Sequence, residues 1–375
     1  MQYRNITNDK IKVSKLGFGM MRLPIVDGDN GKIDKTEAMK ILKYAYENGV
    51  NYFDTAYVYH DETSESMLKD FIKEVGRENI LIADKLPVWL CETYEDFEKY
   101  LDIQLDRLGT SYIDFYLTHS LSKKTFENMS KNNVYKFLDM AKKSGKIKYA
   151  GFSFHDEYDV FENVVDIYDW DFCQIQLNYL DTEYQAGLKG LKYARDKNLD
   201  VIIMEPMKGG SLVNLPKDAL KITYDNCPNT SAAELAQKWV YEKDISLILS
   251  GMSTMDMVKE NIRISSLSDP IVLSESEKNA AKEVKKLLDS RVKVPCTECN
   301  YCMPCPSGVS IPDVFSKYNK KYVFEKKEEM EEKYKKMFEE GKDASKCVEC
   351  GLCEKKCTQS IKIITKLKDA HKDLI

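Results

Sequence analysis

The sequence predicts an α/β architecture: a closed (β/α)8 TIM barrel followed by a small, mainly α-helical domain built around bound metal. Three observations carry this. Eight short β-branched or aromatic runs recur between helical patterns, no GxGxxG follows the first of them, and eight of the eleven cysteines fall in two runs near the end of the 375 residues. Strands apolar on both faces, each followed by a helix, belong to a parallel sheet covered on both sides, and eight such units fit a closed barrel. The rival, an open doubly wound sheet, usually announces itself with the missing glycine fingerprint.

The eight strands are expected at "LGFGM", "VNYFDTA", "ILIADKL", "YIDFYLTH", "IKYAGFSF", "FCQIQLN", "VIIMEP" and "LILSGM". Between the first two, "DKTEAMKILKYAYENG" sets Ala38, Ile41, Leu42 and Ala45 at helical spacing, with Asp34 and Glu37 as a capping pair and Gly49 as the stop. Further helices are expected over 64–75, 94–108, 134–144, 184–197, 231–241 and 255–265, with a weaker pattern over 156–165. A last helix, "SESEKNAAKEVKKLLDS", has Ser274 and Glu277 at capping separation, and the barrel pattern ends with it. The expected domains are therefore a barrel over 1–289 and a cysteine domain over 290–375.

Composition narrows the function classes. The opening "MQYRNITNDK" has no apolar run after a basic start, and no stretch of about eighteen uncharged apolar residues occurs, so signal peptide and membrane span are unsupported and a cytoplasmic protein is expected. Net charge is −5 and the two signs alternate, which argues against a nucleic-acid partner. In a reducing compartment eleven cysteines do not read as a disulfide framework. The scattered Cys91, Cys173 and Cys227 read most simply as small hydrophobes.

Barrel enzymes place their chemistry at the carboxyl ends of the strands. There stand Asp54, with Tyr59 in the loop just after it, then Lys85, then His119. Singly, each has an ordinary reading: a turn cap, an exposed aromatic, a rim charge, a core histidine. Together they are a carboxylate, a phenol, an ammonium and an imidazole on one rim. A free tyrosine titrates near about 10, and an adjacent cation lowers that value, so Lys85 is expected to prepare Tyr59 for proton exchange. Asp54 supplies the counter-charge for Lys85, and a neutral His119 can donate a hydrogen bond to a carbonyl oxygen. The set suits carbonyl reduction.

At these residues the chain resembles the aldo/keto reductases. "NYFDTAYVYHDETSESML" is similar to their strand-two signature, "ADKL" to their lysine strand and "FYLTH" to their histidine strand, and the likeness runs from about residue 11 to 289. It implies a nicotinamide cofactor, NAD(P)H, lying across the rim, and hydride transfer to a small carbonyl substrate with Tyr59 as acid. Ser153 and Gln174 match the family's carboxamide contacts, although Phe154 replaces the asparagine that usually follows the serine. After the seventh strand, Met204, Glu205 and Pro206 stand where the family has an aromatic and a Ser-Pro-Leu turn, with Lys208 close enough to offset the glutamate. "GMSTMDMVKEN" supplies Gly251, Ser253 and the Glu260, Asn261 pair that resembles the adenine clamp, without the family's basic residues for a 2′-phosphate.

The two cysteine runs are "CTECNYCMPCP", with Cys296, Cys299, Cys302 and Cys305, and "CVECGLCEKKC", with Cys347, Cys350, Cys353 and Cys357. Four thiolates satisfy tetrahedral zinc as well as iron. Three cysteines at two-residue gaps with a fourth further on is instead the pattern of cubane ligation, and two such runs predict two [4Fe-4S] clusters. The expected ligand sets cross over, with Cys357 joining Cys296, Cys299 and Cys302, and Cys305 joining Cys347, Cys350 and Cys353. Between the runs, Met330, Tyr334, Met337 and Phe338 form the apolar stripe of a charged helix. The combination resembles aldo/keto reductases with a C-terminal 4Fe-4S ferredoxin-type domain.

Nicotinamide moves electrons in pairs, whereas a cubane moves them singly. Either a flavin splits the pair, although no flavin motif is visible, or the clusters are structural or sensory, or the barrel no longer uses nicotinamide. The leading reading is an oxidoreductase with clusters that deliver or receive electrons. The alternatives are an electron-transfer protein, whose Lys346, Lys355, Lys356 and Lys362 would meet an acidic ferredoxin or flavodoxin, and a redox sensor with a non-catalytic barrel.

Overall fold

All eight predicted runs form strands: β1 (Leu16–Gly19), β2 (Tyr52–Asp54), β3 (Leu81–Leu86), β4 (Ile113–Leu121), β5 (Ile147–Phe154), β6 (Phe172–Gln176), β7 (Asp200–Met204) and β8 (Leu247–Gly251). They pair in parallel in chain order, and β8 returns to β1 with Leu249 opposite Gly17, so the sheet closes as a barrel. The structure is a computed structural model that describes residues 1–7, 10–298, 300–357 and 359–375.

The apolar character of both strand faces follows from closure. Tyr52, Phe115, Leu117, Phe172, Ile202 and Leu247 fill the barrel interior. Their neighbours Phe53, Tyr116, Cys173, Ile203 and Ile248 join the larger core under the helices. An antiparallel hairpin, Tyr3–Ile6 with Ile11–Ser14, adds Ile6 and Val13 to the interior cluster. Its four-residue strands are too short and too polar to show a pattern in the sequence.

The first helix spans Lys35–Glu47. The Asp34 side chain accepts from the Glu37 amide at 3.0 Å, and Gly49 follows at φ +93°, a conformation that stops a helix and suits glycine. Helices Ser64–Val75, Tyr94–Leu108 and Met255–Ser265 keep the expected bounds, and Val134–Lys143, Tyr158–Asp166 and Ala232–Tyr241 differ by a residue or two. The helix expected from residue 184 begins at Gly187, itself at φ +56°. Lys123–Lys131 was not legible, because Met129 is its one buried side chain and leaves no stripe.

By packing, residues 1–212 with 233–274 form one compact unit, and residues 213–232 with 275–375 form another. The first holds the whole barrel. The second contains helices Lys217–Asn226, Glu275–Asp289, Ile311–Val323, Lys327–Glu339, Leu352–Lys356 and Ile363–Leu374. Its core joins Val314, Phe315, Met330, Tyr334, Met337 and Leu367, with Cys296, Cys302, Cys305, Cys347, Cys353 and Cys357 packed against it. Phe338 departs from the expected stripe: it is 49% exposed, beside Glu339 where the helix ends. Among the described residues no helix is long and apolar enough to cross a membrane.

Candidate active site and thiol cavities

Asp54 ends β2, Lys85 lies in β3, His119 lies in β4, and Tyr59 follows β2 by five residues. Lys85 Nζ donates to Asp54 Oδ1 at 2.6 Å, to the Thr55 carbonyl at 2.6 Å and to the Tyr59 hydroxyl at 3.2 Å. The Tyr59 and His119 rings lie 6.0 Å apart at 80°. The pairing of β4 with β5 shifts register between Thr118 and Leu121, so His119 stands at an irregularity of the kind that re-aims a side chain. All four predicted catalytic side chains meet.

Lys85 is fully buried and Asp54 nearly so, whereas Tyr59 and His119 are partly exposed. Burial works against the Lys85 charge, but Asp54 and Tyr59 outweigh it and hold the ammonium above its ordinary value. Burial raises the Asp54 carboxyl, with Lys85 opposing. Burial likewise raises the Tyr59 hydroxyl, and the Lys85 charge only partly offsets it. This corrects the expected direction for Tyr59: the lysine pulls downward, desolvation wins, and the phenol keeps its proton near neutrality. Burial, reinforced by Lys85 and His155, holds His119 well below 6.5, so its imidazole is neutral. His119 Nδ1 is buried without a partner, which leaves the proton on Nε2, because an orphaned acceptor costs less than an orphaned N–H.

Two further residues, one at the rim and one on the helix behind it, support the site. Trp89, 42% exposed, puts its ring 5.1 Å from His119; the signal was the tryptophan in "KLPVW". Gln104 donates to the Lys85 carbonyl at 3.0 Å across the wall, a contact no local pattern reveals.

The residues expected to hold a nicotinamide divide. Ser153 accepts from the Ser120 amide at 2.7 Å and keeps its own proton for a ligand. Gln174 is nearly fully buried, yet its Oε1 has no partner, and its Nε2 reaches only the Met204 sulfur at 3.6 Å. An orphaned buried carbonyl beside a free hydroxyl fits a carboxamide. Glu205 lies 3.8 Å from Arg22, while Lys208 turns instead to Asp181 at 2.5 Å. A Cβ on Gly251 would press the Arg22 side chain at 3.0 Å. Ser253 contacts only the Met257 sulfur, at 4.0 Å. Glu260 pairs with Arg263 at 2.9 Å, and Asn261 turns inward, donating to Ser250 at 3.0 Å and accepting from Gln237 at 2.6 Å.

In the second unit, one cavity of about 90 Å³ is lined by Cys305 of the first run together with Cys347, Cys350 and Cys353 of the second, and Cys302 borders it. Another is lined by Cys296, Cys302 and Cys357. Cys299 lies outside the described residues. Each cavity is thus lined by thiols from both runs, and Cys302 lines both. Among the described residues no three His, Cys, Asp or Glu side chains close on a single ion. Cys296 Sγ accepts from the Glu298 amide at 3.4 Å and Cys357 Sγ from the Ile361 amide at 3.5 Å, donors of the type that tunes cluster ligands. Cys91, Cys173 and Cys227 are buried, as small hydrophobes are.

Barrel, rim constellation and thiol domain define an oxidoreductase of the (β/α)8 class with an iron-sulfur appendage. The aldo/keto reductase family model matches residues 15–285 and the 4Fe-4S dicluster domain model matches residues 295–361. The chain belongs to the aldo/keto reductase family and carries a C-terminal 4Fe-4S dicluster domain. It is similar to L-galactose dehydrogenase of Arabidopsis thaliana, 27% identical over 70% of this chain and 87% of that one. It is also similar to the NADH-specific methylglyoxal reductase of Escherichia coli, 23% identical over 74% and 97%. Among solved structures, the aldo-keto reductase AKR11C1 from Bacillus halodurans in its holo form shares the fold with a TM-score of 0.64, at 23% identity over 76% of this chain and 96% of that one.

Proposed function

We propose that this protein reduces a small carbonyl compound with NAD(P)H at the barrel mouth, and that two [4Fe-4S] clusters in residues 290–375 exchange electrons with that chemistry. The observation that carries the reading is the chain of contacts from Asp54 through Lys85 to Tyr59, with a neutral imidazole alongside. Bound nicotinamide would supply a hydride to the carbonyl carbon. Tyr59, protonated at neutral pH, donates to the carbonyl oxygen and gives up its proton as negative charge grows there. Lys85, 3.2 Å from that hydroxyl, stabilises the phenolate left behind, and Asp54 keeps Lys85 charged and in place. His119 offers its Nε2 proton to the same oxygen. Ser153 and Gln174 would hold the carboxamide beside Met204, and Glu205, Gly251, Ser253 and Glu260 would border the rest of the nucleotide path, whereas Asn261 is already engaged by Ser250 and Gln237. The name of the Escherichia coli relative supports NADH and a small aldehyde.

The donor sets fit two cubanes, one on Cys296, Cys299, Cys302 and Cys357, the other on Cys305, Cys347, Cys350 and Cys353. Cys350 is exposed, with Val348 68% and Leu352 48% exposed beside it in sequence, and Lys346, Lys355, Lys356 and Lys362 are exposed without an ion pair among the described residues. An apolar centre with a basic margin suits an acidic one-electron carrier, a ferredoxin or flavodoxin, while splitting the hydride pair would need a flavin between the nicotinamide and the clusters. The same surface favours a second reading, an electron-transfer or redox-sensing protein with a silent barrel. Steady-state assays with a panel of small aldehydes and NADH separate the two: turnover that Tyr59→Phe abolishes supports the reductase, and turnover with none of them supports the alternative.

A further inference from the structure

Successive side chains of β3 point to opposite faces, so Asp84 leaves the barrel interior where its neighbour Lys85 points. It is fully buried against Glu65 of helix Ser64–Val75, also fully buried, and the two carboxyls lie within hydrogen-bonding reach. Each has one oxygen with a donor: Asp84 Oδ1 accepts from the Lys85 amide at 2.8 Å, and Glu65 Oε2 accepts from Arg107 Nη1 at 3.0 Å. The other two, Asp84 Oδ2 and Glu65 Oε1, are buried without a hydrogen-bond partner, and the Gln104 side chain also lies within reach of the Glu65 carboxyl. Gln104, which grips the Lys85 carbonyl, accepts from the Tyr116 hydroxyl at 2.7 Å and closes the far side. The cations facing the pair are Arg107 and Lys85, and Arg107 is shared with the more exposed Glu62.

Two bare carboxylates cannot sit together in so dry a place, and one proton satisfies both orphaned oxygens. We propose that Asp84 and Glu65 share one proton, carried on Asp84 Oδ2 and donated to Glu65 Oε1, and that the pair is a positioning device for Lys85. The ionised partner is Glu65, which faces Arg107. The arrangement fixes the backbone on both sides of Lys85 while adding only one negative charge behind it, so Lys85 stays committed to Asp54 and Tyr59. Burial and the neighbouring carboxylate push Asp84 well above its ordinary value, and burial raises Glu65 against the pull of Arg107, in keeping with this assignment. The positioning half rests on the reductase reading; the shared proton does not.

Infrared spectroscopy of the intact holoprotein at neutral pH, with thermal unfolding of Asp84→Asn, Asp84→Leu and Glu65→Gln, tests it. A protonated carboxyl band, shifted by deuterium exchange, is expected in the parent and in Tyr59→Phe, and is lost in Asp84→Asn. Asparagine has the same donor and acceptor as the protonated aspartate, so Asp84→Asn should melt with the parent. Asp84→Leu should melt well below it, and Glu65→Gln between the two, because the charge facing Arg107 is gone. In carbonyl turnover, Asp84→Leu should lower kcat with KM little changed, and Asp84→Asn should recover most of the loss. No such band in the parent, or Asp84→Asn melting as low as Asp84→Leu, overturns the pair. Band and melting order as expected with no carbonyl turnover in any form would overturn the reductase reading and the positioning role while leaving the shared proton standing.

Discussion

Replacing Lys85 by methionine tests the electrostatics of the site most severely. The pair it breaks is 2.6 Å long, with Lys85 at 0% and Asp54 at 2% exposure. At an effective dielectric of about 20 the gross attraction at that distance is about 6 kcal/mol, most of it offset by the desolvation of both ions. Removing one partner strands the other, which typically costs about 3 to 5 kcal/mol. The sign with pH follows from Asp54. Burial already raises its carboxyl and Lys85 is what opposes the rise, so without Lys85 its folded pKa climbs further above the unfolded value. A raised carboxyl contributes stability that is present at low pH and lost as pH rises through the folded value. Lys85→Met should therefore be mildly destabilised in acid and progressively more so towards neutrality and above, and the double variant with Asp54→Asn should recover much of the loss. Chemical denaturation of parent, single and double variants between acid and mildly alkaline pH measures this. A deficit that does not change with pH, or that Asp54→Asn fails to relieve, would refute the reasoning.

Tyr59→Phe should lower carbonyl turnover by about 10² to 10⁴ while fold and nucleotide binding persist, and unchanged turnover would remove Tyr59 from the mechanism. Because His119 is held well below 6.5, kcat/KM should be flat across the ordinary histidine range and fall only where Tyr59 loses its proton, above 10; a limb near 6.5 that disappears in His119→Gln would contradict this. Cys357→Ala should damage the cluster held by Cys296, Cys299 and Cys302, and Cys305→Ala the one held by Cys347, Cys350 and Cys353. Each variant should keep about four irons of the eight expected at four per cluster, and zinc or four irons in the parent would refute two clusters.

The barrel was legible because its physics is periodic: strands apolar on both faces and helices striped on one leave a repeating trace that needs no tertiary knowledge. The four rim residues were legible because the carboxyl ends of successive strands must converge once the barrel closes. The direction of the Tyr59 shift was not, since the Lys85 charge is written in the sequence but the depth of burial around both is not. Phe338 shows the same limit, because helical spacing gives a face but not where the core beneath it ends. Asp84 was hidden for a different reason: "ILIADKL" presents it as one polar residue in a strand, and its partner Glu65 belongs to another element. In the cysteine runs, the spacing suggests crossed ligand sets, and each of the two cavities draws cysteines from both runs.

The most direct measurement of the central claim is hydride transfer itself. Anaerobic holoprotein is mixed with NADH deuterated at the transferable position and a panel of small aldehydes, and product deuterium is read by mass spectrometry alongside the visible spectrum of the clusters. The account predicts deuterium on the former carbonyl carbon, lost in Tyr59→Phe. Bleached clusters with no deuterium in any product would contradict it and make the barrel a platform for electron transfer.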